Sequence, residues 1–569
     1  MRLLIFITIL TGSFLSMFQD SLGQNVKGLS EFSRDQLFLH RHLEQEKCAT
    51  PWILHYLHQE KKPHSEDDLA VKREIEREIL LEELPKGVVK RFKENNSFET
   101  ASRSLMDYSF TSPSGLFVLH FDLDGIDAVD STDVDSSGTP DYIEKAALAA
   151  EYSLRLMTEE LGYRNPIPSG GQYHLYFEEF GFYGYTIEST NGTDIYLHST
   201  FRGFPKNDHP DGDQLGALYV TIAHELKHAI QYVTNEWQGE AGSFKWIEMD
   251  ATMMEEVVYD EVNDYYNYLY SGSIFTDPDE ATPGAYSHVT WSIYFSERFG
   301  QNFWVEVWNQ FSEVSELPYI EAVRRQLEDE STSFEEEHLR NHLWHMTSGD
   351  QLGDIGFGFE ERAFYPNATI EDVYTRLPDS ALTLSPIDKY AARYIVVEPE
   401  PGQTGVLEVT LTSENPGLGA VLGGWFKNGT TKEYLIPPSK TQSLLEVITD
   451  WPIADLEKVA IVIGSFSDFV GTSTAAVTSY IPEEHSLSQN YPNPFNPLTT
   501  IRFELAISEP VSLELFDMTG KRILTLVERT LTAGVHRVEF SGEGLASGIY
   551  LYRLTTPSFS ETKSMTLIK

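Results

Sequence analysis

Leu218-Tyr-Val-Thr-Ile222-Ala-His224-Glu225-Leu226-Lys227-His228-Ala229-Ile230-Gln-Tyr-Val233 is the stretch on which the fold turns. Leu218, Ile222, Leu226, Ala229, Ile230 and Val233 recur at helical spacing, which predicts an amphipathic helix over residues 215–233. His224 and His228 are four residues apart, one above the other on such a helix, so both imidazoles can reach one ion. His224 lies two residues, about 200° of turn, from Leu226. The pair is therefore expected to face a cleft rather than the core. Glu225 projects beside the ion, where it can take a proton from a bound water.

A second helix is predicted over 245–259. Trp246, Met249, Met253 and Val257 form its apolar side, and Glu248, Thr252, Glu255 and Tyr259 its polar side. Glu248 follows His228 by 20 residues, room for a loop and one returning turn. Two histidines and a carboxylate leave the fourth position of a tetrahedral zinc open for water, and that donor set favours zinc over other divalent ions.

These residues resemble the gluzincin metallopeptidases, which pair the histidine helix with a Glu-x-x-Ala/Ser element, here Glu248-Met-Asp-Ala251. The resemblance implies a zincin-like α+β domain, His224, His228 and Glu248 as zinc ligands, and Glu225 as general base. It implies that Glu255 holds a ligand histidine in its tautomer. It also implies that Tyr286, or failing that His288, stabilises the oxyanion, since gluzincins place such a residue at the start of a later helix. The region 48–397 is similar to a group of secreted bacterial metallopeptidases. No Gly-x-Met-Glu-Asn element is present, which points to an endopeptidase acting on a protein or peptide.

Upstream, Asp133-Val-Asp135-Ser-Ser137-Gly138-Thr139-Pro-Asp141-Tyr-Ile-Glu144 fits an EF-hand calcium loop. Asp133, Asp135, Ser137, Thr139, Asp141 and Glu144 take the ligand positions and Gly138 the sharp turn. No clear helix precedes it, so one structural calcium is expected, an acidic helix-capping turn being the alternative.

The chain has 569 residues, enough for several domains. Arg2, the apolar run 3–18 and Ser21-Leu-Gly23 read as a signal peptide over 1–23, a single membrane anchor being the alternative. Residues 24–105 are helix-patterned and charged, a propeptide or a plain helical subdomain. Residues 106–386 form the α+β catalytic domain, with strands over 116–121 and 173–177 and helices over 142–161, 290–299 and 303–311. Residues 387–482 carry short strands between Gly, Pro and Asn, a β-sandwich. Cys48 is the one cysteine, so no internal disulfide forms. It reads either as a buried small hydrophobe or as a propeptide thiolate capping the zinc. A net charge of −45 excludes a nucleic-acid partner.

The final module, 485–569, resembles the C-terminal sorting domain of the type IX secretion system. The residues that match are Asn490-Tyr-Pro-Asn-Pro-Phe-Asn-Pro497, Thr500-Ile-Arg-Phe503, Val511-Ser-Leu-Glu-Leu-Phe-Asp517-Met-Thr-Gly520 and Ser547-Gly548-Ile-Tyr550. The resemblance implies a small Ig-like all-β fold and export by that machinery, with release or attachment at the outer surface of a Gram-negative cell. The functional expectation is a secreted zinc metalloendopeptidase, with no transmembrane span in the mature chain. The alternative is an inert, metal-stabilised surface protein that binds or scaffolds.

Overall fold

The computed structural model describes residues 47, 48, 50 and 106–569, apart from 191, 279–283, 353–356 and 378–380. The expected signal peptide, and the helix-patterned region 24–105 apart from residues 47, 48 and 50, lie outside the described residues. The architecture is a multidomain mixture of helices and several sheets that ends in an all-β module. The chain divides into two compact units. The first holds the described residues up to Glu151, with Ile167–Gly203 and Ala217–Ala229. The second holds Tyr152–Pro166, Phe204–Gly216 and Ile230–Lys569.

The first unit is built on strands β1 (Tyr108–Thr111) and β2 (Phe117–Phe121), helix α1 (Asp141–Arg155), and strands β3 (Tyr173–Glu178), β4 (Gly184–Ser189) and β5 (Gly192–His198). The sheet order is β1-β2-β3-β5-β4. β2, β3 and β5 run parallel, while β1 and β4 are antiparallel edges. β2 and β3 are almost wholly buried, the pattern of inner strands covered on both faces. Helix α2 (Asp213–Asn235) follows and runs through both units.

The second unit continues with α3 (Phe244–Val258), α4 (Val289–Phe299), α5 (Asn302–Glu313), α6 (Tyr319–Asp329) and α7 (Phe334–Met346). Stacked aromatics join them, Trp246 lying 3.8 Å from Tyr319 between ring centroids. Nine strands then form a sandwich: β6 (Asp372–Tyr374), β7 (Leu382–Leu384), β8 (Ala392–Val397), β9 (Val406–Ser413), β10 (Leu418–Phe426), β11 (Thr431–Ile436), β12 (Leu444–Pro452), β13 (Leu456–Ser465) and β14 (Ser473–Tyr480). Its sheets are β11-β10-β13-β8-β6 and β12-β9-β14-β7. Two of these strands, β6 and β7, precede residue 387, where the sequence suggested the sandwich would open.

β10 is buried along its whole length because its two faces serve different cores. Ala420 and Leu422 face the sandwich interior with Val409 and Val477. Val421 and Trp425 point the other way, into a core shared with Leu339 and Leu343 of α7. The period of two along the strand sends alternate residues to each core. β13 divides in the same way, with Ile461 on one side and Val462 on the other.

The same α7 carries three buried histidines. His338 bonds the Tyr390 carbonyl at 2.8 Å, His342 the Tyr394 hydroxyl at 2.7 Å, and His345 the Thr290 hydroxyl at 2.8 Å. Burial pushes His338 down to about 4, His345 to about 3, and His342 well below the usual range. Each folded value lies below the unfolded value of about 6.5. Unfolding therefore takes up protons, and the stabilisation is complete above pH 6.5 and is lost as pH falls toward the folded values. At pH 5 the loss is on the order of 2 kcal/mol for each of His338 and His345. Urea midpoints should drop between about pH 6.5 and 5. A His345→Gln chain, once folded, should show a shallower drop, and an equal drop in both chains would refute the assignment.

The last module has sheets β15 (Ser486–Leu487)-β16 (Leu498–Leu505)-β19 (Gly534–Ser541) and β18 (Arg522–Leu531)-β17 (Glu509–Phe516)-β20 (Gly548–Thr555)-β21 (Ser560–Leu567). Inward residues such as Ile501, Leu513, Tyr552 and Leu567 fill the core between them.

Candidate metal centre

α2 does not face an open cleft. His224 is 1% exposed, and Glu225, Lys227 and His228 are 0%. Part of the covering comes from Lys47, Cys48 and Thr50, which lie along the free edge of β4. Cys48 forms a parallel bridge to Gly184. The Tyr183 N–H donates to the Lys47 carbonyl at 2.9 Å. The Thr186 N–H donates to Thr50 Oγ1 at 2.6 Å.

β4 lies close on α2 because residue 184 is a glycine. A Cβ there would sit 2.9 Å from Thr221 Cγ2 and the Tyr196 carbonyl, and 3.0 Å from Glu225 Oε1. Two residues on, the Thr186 hydroxyl lies 2.7 Å from Glu225 Oε2 and 3.0 Å from the Glu225 carbonyl. The Thr50 hydroxyl reaches the same Oε2 at 3.5 Å. The carboxylate of Glu225 is thus aimed by hydroxyls, which suits a proton acceptor held in one rotamer.

The imidazoles of His224 and His228 stand edge to face, 4.8 Å between centroids and 83° between planes. Cys48, His224, His228 and Glu248 each offer a ligand atom, and these atoms all lie within 4.8 Å of one another. Zinc bonds of about 2.0–2.3 Å at tetrahedral angles need ligand atoms roughly 3.3–3.6 Å apart. A small contraction brings the group to that spacing, and its nitrogen, sulfur and carboxylate donors are those zinc takes. Glu248 sits on α3, 0% exposed, its carbonyl accepting from the Thr252 hydroxyl at 2.8 Å. Glu255, about two turns further along, is buried on the same helix. The sequence pattern paired the two histidines with Glu248, and left Cys48 open between packing and metal.

Tyr286 and His288 form a short helical turn before α4 that packs against α3. Both are buried, and Tyr286 leans on Tyr268. His288 Nδ1 lies 3.2 Å from the Ser287 hydroxyl, while Nε2 is buried with no hydrogen-bond partner among the described residues. Burial, and then Lys245, push His288 down to about 3, so its ring is neutral at ordinary pH.

The acidic loop before α1 folds around its own carboxylates. Asp133, Asp135 and Asp141 bring oxygens within 4.8 Å of one another. Asp133 accepts the N–H groups of Ser137 and Gly138, each at 3.0 Å, and these hold its carboxyl below the usual range. Gly138 takes φ +93°, the turn expected of it. The Ser137 hydroxyl donates to Glu144 Oε1 at 2.7 Å and lies 3.1 Å from the Thr139 carbonyl. The three aspartates converge, and Ser137 ties Glu144 and Thr139 to the loop.

One carboxylate group had no sequence signal. Glu256, Asp260 and Glu361 bring oxygens within 4.8 Å of one another. Burial, then Glu361 and Asp260, push Glu256 up to about 10, so it carries a proton at neutral pH. Glu361 lies far beyond the other two in sequence, and no local spacing links them.

Residues 489–568 match the family model of the secretion system C-terminal sorting domain. The chain is an exported bacterial protein, a client of the type IX machinery that is secreted or attached at the outer surface. No described helix is long and apolar enough to cross a membrane. No curated protein is similar to the chain. Among solved structures, CorA, a surface-associated copper-binding protein of Methylomicrobium album BG8, is 8% identical. That match covers 20% of this chain and 98% of CorA, with a TM-score of 0.14. β-Glucuronidase 3 of Bacteroides uniformis is 13% identical over 34% of this chain and 28% of its own, with a TM-score of 0.11. A β-glucuronidase of Ruminococcus gnavus is 12% identical over 31% and 34%, again with a TM-score of 0.11. The chain spans about a third of these glucuronidases. Likenesses this slight carry neither fold nor activity across.

Proposed function

We propose that this chain is a secreted zinc metalloendopeptidase of the gluzincin kind, its catalytic residues on a zincin-like domain. The observation that carries the reading is the convergence of His224, His228 and Glu248, with Glu225 beside the histidines on α2. His224 and His228 would hold the zinc from one helix and Glu248 from another. A bound zinc supplies a Lewis acid that acidifies water and polarises the scissile carbonyl. Glu225 accepts the proton of the attacking water and returns it to the leaving nitrogen. Thr186 keeps its carboxylate aimed through both transfers. Oxyanion stabilisation falls to Tyr286 or His288. The unpartnered, neutral Nε2 of His288 supports the latter as a hydrogen-bond donor.

Elemental analysis beside casein hydrolysis tests the reading. About one zinc per chain, with chelator-sensitive hydrolysis after removal of residues 24–105, is expected. A folded chain that takes up no zinc on reconstitution would end it.

The burial of His224, Glu225 and His228 favours a second reading, an inert surface protein stabilised by its metal. Full zinc without hydrolysis in the trimmed chain would select it.

The loop at Asp133, Asp135, Ser137, Thr139, Asp141 and Glu144 would hold a structural calcium. Calcium at a hundred to a thousand times its dissociation constant should stabilise the fold by about 3–4 kcal/mol. Calorimetry of the wild type and Asp133→Asn should show a calcium-dependent rise in Tm in the first alone. No rise in the wild type would dismiss the site.

A further inference from the structure

We infer that Cys48 is the fourth ligand of this metal site and keeps the exported chain latent until the segment carrying it is displaced. The inference rests on the metallopeptidase reading above. Its first support is position. The Cys48 sulfur belongs to the same group as the ligand atoms of His224, His228 and Glu248, all within 4.8 Å of one another, and the residue is 0% exposed. A sulfur at that distance fills the fourth position, which hydrolysis needs for water.

The second support is how the sulfur is held. Tyr183, just before β4, and Gly184 and Thr186 on it grip Lys47, Cys48 and Thr50 in turn, through two hydrogen bonds and a bridge. Two of these contacts, the Lys47 carbonyl and the Cys48 bridge, are made through the main chain of the segment, and the third through the side-chain hydroxyl of Thr50. Cys48 is thus presented by backbone register.

The third is chemical. The Thr50 N–H donates to the Cys48 sulfur at 3.4 Å, which fixes where the sulfur sits. The thiol lies 3.2 Å from the Thr50 hydroxyl. That hydroxyl also reaches Glu225 Oε2 at 3.5 Å. One short segment therefore engages both the open metal position and the base. A divalent ion with two neutral imidazoles, one carboxylate and one thiolate is electrically neutral, which suits a site this buried. As the sulfur–metal bond forms, the Cys48 thiol gives its proton to solvent. It takes one back when the bond breaks and the segment leaves. No other cysteine exists to trap it as a disulfide within the chain.

Cobalt(II) substitution of the full chain tests this with a readout apart from activity. The wild type should bind one cobalt and show a thiolate-to-cobalt charge-transfer band in the near ultraviolet. Cys48→Ser should bind cobalt without that band, and should hydrolyse casein about 10²-fold or more faster than the wild type, since the fourth metal position is then open to water and Glu225 can act on it. One bound cobalt with no thiolate band in the wild type would overturn the inference and leave the metal site standing. The band with equal hydrolysis by both chains would overturn the latency. No cobalt in either chain would remove the metallopeptidase reading, and the inference with it. If Cys48→Ser fails to fold, Cys48→Ala, read for the same band and the same hydrolysis, decides instead.

Discussion

Glu225→Gln will keep its zinc and lose about 10²–10⁴-fold in kcat. The substitution is close to isosteric, and the amide oxygen can still accept from the Thr186 hydroxyl that now reaches Glu225 Oε2 at 2.7 Å. What disappears is the ability to take a proton. Glu225 is wholly buried at the start of a helical turn that also holds both histidines, so the folded site should survive the change. Rates should be compared in the parent chain and in a Cys48→Ser background, so that latency does not mask the effect. Zinc content should be measured on the same samples. Undiminished hydrolysis by Glu225→Gln would remove this residue from the chemistry. Loss of zinc along with activity would make the variant uninformative about the base and show instead that Glu225 shapes the metal site.

The second large effect is on metal retention. His224→Ala, His228→Ala and Glu248→Ala should each weaken zinc binding by more than about 100-fold, beyond what loss of a supporting hydrogen bond costs. The zinc-dependent part of the stability should vanish with it, about 4 kcal/mol if free zinc exceeds its dissociation constant a thousandfold. The three residues come from two helices, yet their ligand atoms share one small volume. Equilibrium dialysis against zinc, read with thermal unfolding, separates this outcome from simple misfolding. A variant that folds and binds zinc like the wild type would strike that residue from the ligand set.

Parts of this arrangement are readable along the chain because they are local. The i, i+4 histidines need only one helix, and the loop from Asp133 needs only twelve consecutive residues. The predicted helices at 215–233 and 245–259 appear as Asp213–Asn235 and Phe244–Val258. Their apolar stripes are buried for the most part, but Val233, placed in the first stripe, is 40% exposed near the end of its helix. His224 and His228, expected to face a cleft, are buried instead. Periodicity distinguishes polar from apolar, but not a wet polar face from one sealed by another segment. Here Lys47, Cys48 and Thr50 lie beside β4, remote in sequence from the histidines.

The sequence of α7 hides its burial for a related reason. In Phe334-Glu-Glu-Glu-His-Leu-Arg-Asn-His-Leu-Trp-His-Met346 the histidines look like a solvated face. His338, His342 and His345 are buried, their nitrogens met by Tyr390, Tyr394 and Thr290. Polar residues satisfied inside a core break the simple pattern on which a helix is recognised. The sorting module, by contrast, was legible because its Pro-rich opening and spaced blocks recur as a unit.

The most direct test of the central claim is an anomalous-difference map at the zinc absorption edge, from crystals of the full chain grown with zinc. The account predicts one strong peak within bonding distance of His224, His228 and Glu248, with Cys48 Sγ completing the tetrahedron. A well-ordered site with no peak, or a peak held by other residues, would contradict it.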